Sequence, residues 1–222
     1  MRAALVIALL TAAAPAHEVI TTKLTWNREV SRIIYQRCLS CHREGGTAPM
    51  SLATYAEARP WAKAIKEEVL ERRMPPWGAV KGLGDFRDDA GLTQEEIMLL
   101  ADWVEGGAPE GDAGWEPYQP SLKTAAPPAP PRGGVLVKGA LTLKTPMRIG
   151  AIAPADVSEN ATVQVLAQRP DGTVEPMLWL LNFRSKWRRA YTYREPVMLP
   201  AGSKVIVFPS ASVRLFASRA PG

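Results

Sequence analysis

The chain has 222 residues, 22% of them charged, and a formal net charge of +5, and it contains no run approaching the roughly 20 apolar residues that a membrane-spanning helix needs. Its length exceeds what one small domain requires, so two compact units are expected. The net charge hides an asymmetry, because residues 17–116 carry 12 Lys/Arg against 17 Asp/Glu (−5), whereas residues 117–222 carry 14 against 5 (+9). Opposite charges on this scale favour association of the two halves and say nothing about fold.

At the N-terminus, Met1-Arg2 supplies a positive start and Ala3 to Ala13 an apolar run too short to cross a bilayer, the pattern of a signal peptide. Ala14-Pro15-Ala16 fits a small-x-small cleavage site, and cutting after Ala14 would leave proline just beyond the scissile bond. Residues 1–16 are therefore expected to be removed after Ala16, with export to the periplasm. Cleavage there would expose His17, half of a copper-binding pair at most, and His17 is assigned no role.

Residues Asn27 to Arg37 read as an amphipathic helix, with Asn27 as N-cap and Val30, Ile33, Ile34 and Cys38 at helical spacing. The helix leads into Cys38-Leu39-Ser40-Cys41-His42. One helical turn between two thiols matches the separation of the two vinyl groups on one porphyrin edge, and the adjacent His42 can reach the iron as proximal ligand. A thioredoxin-like pair would open a helix after a buried strand, and no strand precedes it. A zinc site would need a second Cys/His pair, which the chain lacks. A plain disulfide is the third alternative. One covalently bound haem c is the expected cofactor.

A methionine thioether commonly closes the distal side of an electron-transfer haem. Met50 follows His42 by eight residues, so its loop would have to turn quickly around the porphyrin, and Met98 falls inside a helical pattern. Met74 precedes Pro75-Pro76-Trp77, which fixes a rigid extended loop, and is the expected distal ligand with Met50 as runner-up. The alternative is that Met74 only fills core space. Around this loop, Thr54 and Glu57 stand at capping-box spacing before a helix interrupted at Pro60 and continuing through Trp61, Ile65 and Val69 to the neighbourhood of Arg73. A later helix starts at Thr93, with Glu96 completing a second capping box and Leu92 able to staple onto Ile97. It runs through Leu100, Trp103 and Val104 to a stop at Gly106-Gly107 and Pro109. Residues 17–116 are thus expected to form a small all-α haem domain.

Prolines 117, 120, 127, 128, 130 and 131 mark residues 117–134 as an extended linker ending in Gly133-Gly134. Residues 135–222 then carry short β-prone runs at Val135 to Val137, Leu141 to Leu143, Thr162 to Leu166 and Val205 to Phe208, with a turn at Pro170-Asp171-Gly172. Short strands of this kind predict a β-sandwich, giving an α + β two-domain chain. The run from Arg184 to Arg194 is either a strand with Trp187, Tyr191 and Tyr193 facing inward and cations outward, or a basic surface for an acidic partner.

The helical half resembles the class I-like cytochrome c domains of bacterial exported proteins, including those fused to copper type II ascorbate-dependent monooxygenase-like domains. The resemblance rests on Cys38 to Arg43, Ala48-Pro49-Met50-Ser51-Leu52, Ala58-Arg59-Pro60-Trp61-Ala62, Arg73-Met74-Pro75-Pro76-Trp77 and Trp103 to Pro109. It implies thioethers at Cys38 and Cys41 and iron ligation by His42 and Met74. The C-terminal half is similar to the C-terminal domain of those monooxygenases at Arg169 to Gly172, Trp187 to Tyr191 and Pro196 to Gly202. Their copper is held by a His-x-His pair and a methionine, yet residues 117–222 contain no histidine. The expectation is a periplasmic single-electron carrier, not an enzyme, with a non-catalytic docking domain. Its partners would be redox proteins, among them membrane respiratory complexes or a periplasmic oxidoreductase, and not nucleic acid. Alternatives are a haem-dependent oxidase or peroxidase, a haem-based sensor, or an accessory subunit of a copper monooxygenase.

Overall fold

The computed structural model describes residues 23–120 and 131–218. The leader, its cleavage point, His17 and the middle of the linker lie outside the described residues. The architecture is mixed α+β: four short α-helices and two four-stranded antiparallel sheets among the described residues.

The first helix opens with a π-wound turn, Trp26–Val30, that runs into α1, Ser31–Arg37. Thr25, and not Asn27, is its N-cap: the Thr25 side chain accepts from Arg28 N–H, and the Glu29 carboxylate accepts from Thr25 N–H at 2.9 Å. Asn27 is buried and donates through Nδ2 to the Gly111 carbonyl at 3.3 Å. The first N–H groups of a helix have no partner within it, and here Trp26 and Asn27 donate to the carbonyls of Pro109 and Glu110 at 3.0 and 2.9 Å. That closure ties the two ends of the helical region together around Trp26, whose ring meets Tyr35, Tyr55 and Trp103 at centroid distances of 6.5, 6.2 and 6.1 Å.

Helix α2, Tyr55–Ala58, has the Thr54/Glu57 capping box, and a 3₁₀ turn at Arg59–Trp61 containing Pro60 leads into α3, Ala62–Leu70. Helix α3 stops short of Arg73 because Arg72 takes a left-handed backbone (φ 54°), after which the N–H groups of Arg73 and Met74 both donate to the Glu68 carbonyl. Helix α4, Gln94–Glu105, has the Thr93/Glu96 capping box and ends at Gly106. Ile34, Leu39, Leu52, Val69, Leu92, Ile97 and Leu100 fill the core between these helices.

The strands are β1 Val135–Lys138, β2 Ala140–Thr142, β3 Met147–Asp156, β4 Val163–Gln168, β5 Val174–Leu180, β6 Tyr191–Leu199, β7 Lys204–Phe208 and β8 Ser212–Ala217. One sheet runs β1-β8-β3-β6 and the other β2-β7-β4-β5. Strands β3, β5 and β8 go beyond the runs legible in sequence. Two of them are irregular: β3 shifts register around Gly150, and β5 carries Pro176 where its pairing with β4 slips. Trp187 sits in a 3₁₀ turn, Ser185–Trp187, so the inward-facing aromatics of β6 are Tyr191 and Tyr193 alone.

A segment of the helical half closes both sheets. Val80 N–H donates to Trp179 O and Leu181 N–H to Gly78 O, extending β5, while Arg87 N–H donates to Thr192 O and Arg194 N–H to Asp85 O, extending β6; all four bonds are 2.8 to 2.9 Å. Gly84 (φ 90°) makes the turn between the two arms, where a Cβ would strike the Phe86 ring and the Met177 carbonyl. Trp77, Ala79 and Phe86 are buried within the sandwich core, not the helical one. Phe86→Ala, although outside the β-domain in sequence, is therefore expected to cost about 3–5 kcal/mol and to lower the melting temperature of the β-sheet signal in far-ultraviolet circular dichroism.

Candidate functional site

Cys38 ends α1, its N–H donating to the Ile34 carbonyl at 2.9 Å. Its own carbonyl then accepts from Cys41 N–H at 3.1 Å and His42 N–H at 2.9 Å, which gathers the two thiols and the imidazole onto one turn. Both cysteines are free thiols, and Leu39 between them points into the helical core, 1% exposed. The chain folds back over this turn: Ala48 N–H donates to Cys41 O at 3.2 Å and Leu52 N–H to His42 O at 3.0 Å. Gly46 permits the return, since a side chain there would run into the Cys41 carbonyl.

His42 Nδ1 lies 3.3 Å from the Met50 carbonyl. A carbonyl only accepts, so Nδ1 carries the proton, and Nε2 is left with its lone pair unused by that bond. Burial lowers the His42 pKa, partly offset by the Met50 carbonyl, and the imidazole is neutral and able to ligate at neutral pH. The Cys38 thiol is pushed up to about 12, first by burial and then by Glu96 and Cys41, with Arg37 opposing. A thiol held protonated is the reverse of what thioredoxin-like exchange requires. Among the described residues, no three His, Cys, Asp or Glu side chains converge as a protein-only metal cage would need.

Met74 comes from elsewhere in the fold. It lines a narrow, partly open cleft with Val69, Leu92 and Ile97 of the helical core and Trp77 and Leu181 of the sandwich side. The loop carrying it is clamped upstream, where Arg73 grips both oxygens of Glu68 at 3.0 Å and Glu67 at 3.0 Å. Met50 packs its side chain on the helical core while its carbonyl is committed to His42. The structure thus gathers Cys38, Cys41, His42 and Met50 into one loop, while Met74 sits on a second, in a cleft whose lining includes neither the cysteines nor His42. Two free thiols, an imidazole with one ring nitrogen available and a thioether beside apolar walls fit a covalently attached haem as a donor set.

Sequence reasoning missed the Met50 carbonyl, the clearance at Gly46 and the second duty of Glu96. Glu96 caps α4 through Oε2, accepting from Thr93 N–H at 2.7 Å, and with Oε1 accepts from Arg37 Nε and a terminal guanidinium nitrogen at 3.0 and 2.9 Å. Only the cap has a sequence signal, because the ion pair depends on α1 and α4 meeting. Glu96→Ala removes both and is expected to cost about 2 kcal/mol of stability, read by chemical denaturation. Comparison of the chain with protein-family models, curated proteins and solved structures finds no match.

Proposed function

We propose that this protein is an exported electron carrier that holds one haem c on Cys38 and Cys41, with His42 and Met74 as axial ligands. The observation that carries the reading is the His42 Nδ1 to Met50 carbonyl bond, which orients the imidazole and leaves Nε2 available on the turn that also carries two free thiols. In metal-binding histidines the second ring nitrogen is held in this way to set tautomer and basicity. Haem supplies a one-electron couple when bound, and a thioether opposite imidazole raises its potential.

The chain's own residues account for the rest. Commitment of the Met50 backbone to His42 favours Met74 over Met50 for the distal side. Val69, Leu92 and Ile97 keep the surroundings of the thioether apolar. The helical region reads on this view as a cytochrome c domain, consistent with the resemblance carried by its motifs. The sandwich, without a histidine between residues 117 and 222, is a non-catalytic companion that docks to other redox proteins of the periplasm.

Expression with a haem-attachment system is expected to yield a low-spin ferric spectrum with the weak far-red band of iron–thioether ligation. Met74→Ala abolishes that band and Met50→Ala retains it. A high-spin ferric spectrum, or a protein without covalent haem, would overturn the reading.

A further inference from the structure

We propose that the β-sandwich positions the distal methionine: Tyr191, acting through Trp77, holds the Met74 thioether in place for iron. This rests on the haem reading above and assigns to the sandwich a task beyond docking.

The loop bearing Met74 hangs between two anchors. Upstream, Arg73 and Met74 N–H groups share the Glu68 carbonyl. Downstream, Trp77 is 4% exposed and inserted into the sandwich core. Its carbonyl accepts from the Tyr191 hydroxyl at 2.5 Å, its indole meets the Tyr191 ring edge-on at 5.1 Å, and the Arg189 guanidinium lies over it at 5.2 Å. Only Pro75 and Pro76 separate Met74 from Trp77, and proline has almost no freedom in φ. A shift of Trp77 is therefore transmitted to Met74 with little absorbed on the way. Asn182, two residues beyond β5, adds a third hold by donating to the Glu71 carbonyl at 3.4 Å.

A buried tyrosine hydroxyl needs an acceptor in any case, so satisfaction of Tyr191 alone would assign it nothing. Tyr193 supplies the contrast. It is equally buried on the same strand and donates at 2.8 Å to Met177 O, an acceptor inside the sandwich. The two hydroxyls differ in one respect: the acceptor of Tyr191 belongs to the methionine loop. A neutral thioether is a replaceable ligand, and restricting its motion before ligation lowers the cost of forming the bond.

Imidazole added to the ferric holoprotein competes for the distal position, and loss of the far-red band reads the competition. Tyr191→Phe is expected to need about tenfold less imidazole than wild type, the equivalent of one hydrogen bond, while Tyr193→Phe stays at the wild-type concentration. Global unfolding of both variants is measured alongside, since a purely structural role would lower their stability alike without separating their imidazole affinities. Asn182→Gly suits the left-handed backbone at this position (φ 47°), deletes only a surface hydrogen bond, and is expected to move in the same direction by about twofold. It decides the matter should Tyr191→Phe fail to fold. A wild-type protein lacking the band overturns the haem reading itself. A wild-type protein with the band, whose Tyr191→Phe and Tyr193→Phe variants take imidazole alike, overturns only the positioning role, as does an unshifted Asn182→Gly where Tyr191→Phe does not fold.

Discussion

An open β-sheet ends in a row of N–H and carbonyl groups that must find partners, and both sheets of this sandwich present such an edge, at β5 and at β6. The chain supplies the partners from outside the sandwich. Two arms of one short segment pair with these edges, turning between them at Gly82 to Gly84, and bring Trp77 and Phe86 into the aromatic group completed by Tyr191 and Tyr193. Edge closure and aromatic burial are thereby one event. Neither half of the molecule is complete without it, because the segment is covalently the continuation of the methionine loop.

The charge asymmetry of the two halves contributes little to this junction. Arg194 and Asp85 form an ion pair across it at 3.3 Å, but both side chains are mostly exposed, and such pairs are worth about 0–1 kcal/mol. Backbone hydrogen bonds and buried rings stabilise the junction more than this pair does. Arg189 contributes through its face-on contact with Trp77, a use of positive charge that net-charge counting does not register.

The thiol-bearing turn is held together differently. The Cys38 carbonyl accepts two N–H groups, the return of the chain over Gly46 delivers the Met50 carbonyl to His42, and Leu39 pins the turn to the core. Local chain geometry does nearly all of this, with α4 entering through the Glu96 contact to Arg37. The surroundings of Met74 are built from sequence-distant parts, with Leu92 and Ile97 from the helical half and Leu181 from the sandwich half.

Features that act over a few residues are legible in the sequence alone. Both Thr-x-x-Glu capping boxes, the Gly106-Gly107 stop, the Asp171-Gly172 turn and the Cys38 to His42 spacing depend on hydrogen bonds or steric limits reaching no further than one turn. The first cap falls two residues earlier than its sequence pattern suggests, because Asn27 is as good a cap as Thr25 until the chain at Gly111 arrives to claim its amide. Strand β5 is hidden by Pro176, acceptable only because β5 ends its own sheet and takes its further partner from residues 78 to 80. Above all, nothing local in Trp77 or Phe86 says which core they enter. Apolar burial has no direction along the chain, and the edges that recruited these residues belong to strands about a hundred positions away, which only the tertiary structure could bring to them.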